Sequence, residues 1–245
     1  TNSSVLINVK GIDTLSGIKC IRLPNGTVIN SDTCNYAVSL NGTYNFVIED
    51  NAGNTCTVSV SVSNIDDIYP SGVFSPDNSS WTNDTVNVAF YPSDAGGSGI
   101  DKWRYRVSTD NGSGWGSWSS YITGGAGGNI PLNRDGIYKI QAEVVDRAGN
   151  IATITSGTYY IETVLPEGKF LPNAYEWTND VLKIIFDPED SGGSGLYRWR
   201  YRTSNNNGGN YGSWSDYFYG DTSGNIFLTQ EGLWKIQAEV YDNAG

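Results

Sequence analysis

The stretch from Pro70 to Gly149 recurs from Pro166 to Gly245, shifted by 96 positions, with about half the residues identical and no gap. Trp81-Thr82-Asn83-Asp84 returns as Trp177-Thr178-Asn179-Asp180, and Trp103-Arg104-Tyr105-Arg106 as Trp199-Arg200-Tyr201-Arg202. Lys139-Ile140-Gln141-Ala142-Glu143-Val144 returns letter for letter at Lys235 to Val240, and each copy then reaches Asp-x-Ala-Gly, at Asp146 and Asp242. A repeat of this length is one domain of ordinary size, so the chain must fold as copies of a unit that closes its own core. Serial copies supply reach, spacing and valency, which favours a structural or binding role over catalysis at one site.

The first third is a shorter relative of the same unit. Asp50-Asn51-Ala52-Gly53-Asn54 matches Asp146-Arg147-Ala148-Gly149-Asn150, and Ser16-Gly17-Ile18 matches Ser98-Gly99-Ile100 and Ser194-Gly195-Leu196. The joints agree as well, Ile65-Asp66-Asp67-Ile68-Tyr69-Pro70 with Ile161-Glu162-Thr163-Val164-Leu165-Pro166. The expected division is 1–65, 66–161 and 162–245. The first domain opens on Val5-Leu6-Ile7-Asn8-Val9, equivalent to the second strand of its neighbours, and the third stops before its final strand. Two explanations stand: a segment of a longer repeat array, or donor-strand exchange in which a neighbouring copy fills the vacant edge.

Aromatic residues make up 13% of the chain, beside 30 Gly and many Ser, Thr and Asn, with neither Met nor His. Such a composition favours strands joined by tight turns. The net charge of −11 repels phosphate backbones and makes divalent cations the natural counter-ions, so nucleic-acid partners are not expected. No apolar run approaches the roughly 18 residues of a membrane span. Without His there is no Ser-His-Asp or Cys-His arrangement, and the repeated acids lie in Gly-rich turns rather than across a cleft; the chain reads as non-enzymatic.

Alternating runs at Thr85 to Phe90, Trp103 to Val107, Ile137 to Val144 and Thr153 to Thr155 are each bounded by Gly, Asn, Asp or Pro. About seven short strands per repeat imply an all-β fold of three tandem antiparallel sandwiches of immunoglobulin-like topology in an extended array. With its Asp-x-Ala-Gly-Asn turn, its Ser-Gly-Ile/Leu entry to a middle strand and its Ile-Asp/Glu-x-x-x-Pro joint, the chain resembles the tandem immunoglobulin-like repeats of bacterial and archaeal surface proteins, adhesins and S-layer-associated proteins among them. The resemblance implies an extracellular stalk, surface-layer or filament segment whose partners are neighbouring copies or further repeats of the same surface protein. The alternative is an adhesin fragment that binds a glycan or protein.

On that fold the turns at Asp94 and Asp146 meet at one end of a sandwich. Asp66, Asp94 and Asp146 form one set of repeated acids and Glu162, Asp190 and Asp242 the next. Two readings are open: Asp as a turn former that accepts its own downstream amides, or calcium, a hard ion wanting six to eight oxygens, bound at the joints. Cys20, Cys34 and Cys56 all fall in the first domain near that same end, so the spacing permits any disulfide pairing. Sequons at Asn2, Asn25, Asn41, Asn78, Asn83 and Asn111 are candidate glycan acceptors in an exported protein. Trp115-Gly116-Ser117-Trp118-Ser119 is similar in spacing to the Trp-Ser-x-Trp-Ser box of cytokine receptors, where Trp and Arg interleave, and the third domain has Tyr211-Gly212-Ser213-Trp214-Ser215. Trp115, Trp118, Tyr211 and Trp214 are therefore either packing rings or a carbohydrate platform at exposed hairpin tips.

Overall fold

The computed structural model describes residues 1–77, 80–173 and 176–245, and every regular element among them is a β-strand. The first repeat contains β1 (Val5–Lys10), β2 (Ile18–Arg22), β3 (Val28–Ile29), β4 (Thr33–Val38), β5 (Gly42–Asp50) and β6 (Thr55–Val62). A β1-β4 pair covers a β3-β2-β5-β6 sheet, with Ile21 and Phe46 at the centre. The second repeat has β7 (Ser71–Ser75), β8 (Trp81–Thr82), β9 (Val86–Ser93), β10 (Ile100–Ser108), β11 (Ile122–Thr123), β12 (Gly128–Leu132), β13 (Gly136–Asp146), β14 (Ile151–Thr155) and β15 (Tyr159–Ile161). Here β12-β9-β7 faces β11-β10-β13-β15-β8, and β14 adds to the far half of β13. The third comprises β16 (Glu167–Leu171), β17 (Leu182–Glu189), β18 (Leu196–Ser204), β19 (Phe218–Tyr219), β20 (Gly224–Leu228) and β21 (Lys235–Asp242), as sheets β16-β17-β20 and β19-β18-β21.

Alternation along β10 sends Trp103 inward and Arg104 outward. Trp103 and its counterpart Trp199 are fully buried, and their indole nitrogens donate to the Ala126 and Thr222 carbonyls. The ring lies where a Cβ on Gly128 would sit, and Trp199 stands in the same relation to Gly224, so the glycine on the facing strand makes room for the indole. Ile21 occupies the corresponding place in the first repeat, beside the same β-bulge. A smaller residue there suits the smaller first core.

Trp115 to Ser119 do not form an exposed hairpin tip, which is instead the turn at 109–114. The segment runs back along β10, donating from the Gly116 and Ser119 amides to the Val107 and Tyr105 carbonyls, while the Ser119 hydroxyl accepts from the Tyr105 amide. The third repeat copies this with Gly212, Ser215, Thr203 and Tyr201. The spacing of the box follows: Ser supplies both a backbone amide and a hydroxyl to the strand edge, and the rings between project onto the outward guanidiniums. Arg106 lies over Trp115 and Trp118, Arg104 over Trp118 and Tyr121, and Lys102 over Tyr121. In the third repeat Arg202 lies over Tyr211 and Trp214, and Arg200 over Trp214 and Tyr217. Arg104 and Arg200 are fixed from the other side by Glu143 and Glu239. Trp118 and Trp214 are thus each flanked by two cations.

The three cysteines are free thiols on three different strands, Cys20 on β2, Cys34 on β4 and Cys56 on β6. Strand β5 lies between β2 and β6. Two strand spacings, about 9–10 Å, exceed the Cα separation a disulfide can span, so the expectation that any pairing is open fails for Cys20 with Cys56.

Trp118→Ala and Trp214→Ala should each destabilise their own repeat by about 2–3 kcal/mol, by losing half-buried ring area and two cation–π contacts at once. Urea unfolding followed by the remaining Trp fluorescence measures this, and Trp→Phe should recover part of the loss. Tyr159 offers a second test, because its ring is fully buried while its hydroxyl has no hydrogen-bond partner. Burial pushes its pKa up to about 12. The neutral form is therefore favoured by folding: the stability is fully present below the unfolded value near 10 and is lost as pH rises through about 12. Tyr159→Phe should be at least as stable as the parent at pH 7, since it removes a buried hydroxyl without a partner, and its advantage should grow by about 2–3 kcal/mol by pH 12, read from paired denaturation curves.

Candidate metal centre

Two turns and the connecting segment meet at the end of the second repeat that faces the first. Asp94 follows β9, Asp146 closes β13, and Asp66 arrives from the joint, its amide bonded to the Thr1 carbonyl. One oxygen from each of these carboxylates lies within 4.8 Å of the other two. The same arrangement recurs at the end of the third repeat, where Glu162, Asp190 and Asp242 meet under the same limit and the Glu162 amide bonds the Thr82 carbonyl. All six acids singled out from the sequence are thus brought together, in two sets of three.

The local folding explains why. Asp94 accepts from the Gly96 and Gly99 amides and Asp190 from those of Gly192 and Gly195, so each is the acceptor of its own Gly-rich turn. Asp146 accepts from the Gly149 and Asn150 amides, and Asp242 from those of Ala244 and Gly245. The turn-forming role is therefore present in these four acids, and Asp66 also accepts the amide two residues on, that of Ile68. It does not account for the burial of Asp66 and Glu162 against the next repeat. Asp66 and Glu162 form neither turn; they reach into the space between the turns from the connecting segment, and they are 5% and 1% exposed.

That space exists because glycine is present. A methyl group built on Gly96 would coincide with the Asp66 carboxylate, and one on Gly192 with the Glu162 carboxylate. Around Asp66 the protein supplies donors: the Ile68 amide to Oδ1 and the Ser98 amide to Oδ2. Ser98 is the main reason the Asp66 carboxyl is held below the usual carboxylate range. The Asn150 carboxamide ties the cluster together, donating to Asp146 and to the Asp66 and Ile68 carbonyls. Around Glu162 the situation differs: among the described residues neither carboxylate oxygen accepts a hydrogen bond, and the buried hydroxyl of Ser194, in the same Gly-rich turn as Gly192, has no partner either. No Lys or Arg forms an ion pair with any of the six acids among the described residues.

Three close carboxylates with no cation partner repel one another, and a buried carboxylate without donors carries a large desolvation cost. A hard divalent ion relieves both at once, and carboxylate, hydroxyl and backbone oxygens are the donor set that calcium takes. The two glycines, the two serines and Asn150 were not singled out from the sequence as parts of this site. The signal for Asn150 was there, since the fifth position of Asp-x-Ala-Gly-Asn is also Asn54, which makes the same bonds to Asp50.

The remaining candidates lie elsewhere. Trp115, Trp118, Tyr211 and Trp214 are half-buried and stacked on guanidiniums, as described above. Of the sequons, Asn2 and Asn25 are exposed, and Asn111 is exposed in a left-handed turn. Asn41 is held on both sides by the Ile65 backbone, and Asn83 donates across the second joint to the Gly245 carbonyl. Asn78 lies outside the described residues.

Comparison with known proteins adds the following. Residues 87–162 match the family model of a bacterial Ig-like domain. No curated protein matches the chain. Among solved structures, the chain is similar to the fibronectin(III)-like modules of Clostridium thermocellum CbhA, at 13% identity over 65% of this chain and 86% of that one, with a TM-score of 0.31. It is also similar to the FN1-FN3 domains of chicken CNTN1, at 10% identity over 100% and 90% with a TM-score of 0.32, and to trypsin-activated alpha-2-macroglobulin from Escherichia coli, at 10% over 99% and 22% with a TM-score of 0.31. The chain is a tandem of all-β antiparallel sandwiches, and over residues 87–162 it is similar to bacterial Ig-like domains.

Proposed function

We propose that this chain is an extracellular, non-enzymatic structural segment, of the stalk, surface-layer or filament kind, that holds its neighbours at fixed spacing by binding a calcium-class cation at each joint. One observation carries the reading. At both joints the connecting segment inserts a buried carboxylate between the turns of the next repeat, so that a cation bound there ties the linker to the domain that follows. A linker fixed in this way transmits orientation as well as distance. The neighbours to be spaced are further repeats or copies of the same surface protein, and the negative net charge sharpens the dependence, because adjacent domains repel when the counter-ion is removed.

Calorimetric titration with calcium should find about two ions per chain, and small-angle scattering should show a narrower distribution of dimensions with calcium than with chelator. Occupancy at ten times Kd adds only about 1.4 kcal/mol to stability, so shape responds more than melting. Gly192→Ala, which puts a methyl on the Glu162 carboxylate, should lower the stoichiometry to about one. Unchanged dimensions and no heat of binding would leave the acids as turn formers.

A further inference from the structure

Both joints carry the same three-carboxylate plan, but the protein completes only one of them. At the first, Asp66 is short enough for its Oδ1 to take the amide two residues on, that of Ile68, while Oδ2 takes the Ser98 amide. At the second, the extra methylene of Glu162 carries the carboxylate past that position. Among the described residues both oxygens are without donors at 1% exposure, and the hydroxyl of Ser194, the counterpart of Ser98 in the repeat, is buried without a partner. A cavity of about 200 Å³ adjoins this second cluster, lined among others by Glu162, Asp242, Pro166 and Tyr241. Space for water beside an unpartnered carboxylate gives that carboxylate somewhere to go.

We infer that the two joints are different devices: the Asp66 joint is closed by the protein's own amides, whereas the Glu162 joint closes only around a divalent cation and opens when the cation leaves. This rests on the cation reading above and assigns it a regulated element, a hinge between the second and third repeats that external calcium sets. When the ion is withdrawn, Glu162 regains hydration by moving out of the turns of Asp190 and Asp242 toward the adjoining cavity. The segment from Glu162 to Pro166 then detaches from the third repeat. Asp66 has no equivalent need, since two amides still hold its charge.

The turn amides of the following repeat provide a reporter at each joint, those of Gly192 and Gly195 on Asp190 and those of Gly96 and Gly99 on Asp94, because the Glu162 and Asp66 amides are bonded back to Thr82 and Thr1 of the preceding repeat. Hydrogen exchange of the full chain, in calcium and then in chelator, is the experiment. The expected result is that chelation speeds exchange in the turn from Asp190 to Gly195 by about tenfold or more and changes the turn from Asp94 to Gly99 by less than about twofold. Exchanging the acids should exchange the behaviour: Glu162→Asp makes the second joint insensitive to chelator, and Asp66→Glu makes the first joint sensitive. Equal responses at both joints, or swaps that leave the pattern unchanged, overturn the inference while the cation reading stands. No response at either joint, together with no heat of calcium binding, overturns both.

Discussion

The structure turns on the burial of one carboxylate at each joint. Asp66 and Glu162 sit where a linker would ordinarily be solvated, and each is enclosed by two turns belonging to the next sandwich. A carboxylate in that position has to be matched by donors or by a cation, because the desolvation of an unmatched charge exceeds what the surrounding packing supplies. The Gly-rich turns follow from this constraint. Gly96 and Gly192 leave room for the charge, and Asp94 and Asp190 hold their turns in shape by accepting the turn amides.

The interior of each repeat follows a different rule, that of volume. A buried indole on β10 or β18 fills the gap between the sheets, and a glycine on the facing strand admits it. The first repeat, with Ile21 in that place, closes around Phe46 instead. In the third repeat β21 pairs, among the described residues, with β18 alone, and Ile236, Ala238 and Val240 are only partly buried where Ile140, Ala142 and Val144 are fully so. The outward face of the same strand carries the Arg and ring ladder, so a single four-residue motif, Trp-Arg-Tyr-Arg, builds the core with one face and the clasp with the other.

Much of this was legible in the residues. Alternation separates Trp103 from Arg104 because side chains on a strand point to opposite faces, and this holds whatever the rest of the chain does. The repeat offset of 96 residues places Asp190 and Asp242 in the roles of Asp94 and Asp146 for the same reason: identical local sequence makes identical turns. The all-β character, the turn-forming aspartates and the meeting of the turns at one end of a sandwich needed no coordinates.

What the sequence could not decide was anything that depends on two distant segments approaching to within a hydrogen bond. The Trp115 to Ser119 segment looked like an exposed tip because its Gly and Ser content marks a turn; only the pairing of Gly116 and Ser119 with β10 shows that it lies back along the strand. The cysteine spacing permitted any pair, and it is the position of β5 between β2 and β6 that removes Cys20 with Cys56. Asp66 and Glu162 are interchangeable acids at equal positions in the repeat, yet one methylene decides whether the amides of the neighbouring turn reach the charge. Local residue types determined the strands, the turns and the repeat; packing at the level of an ångström decided which carboxylate the protein satisfies by itself, because hydrogen bonding and desolvation change steeply over that distance.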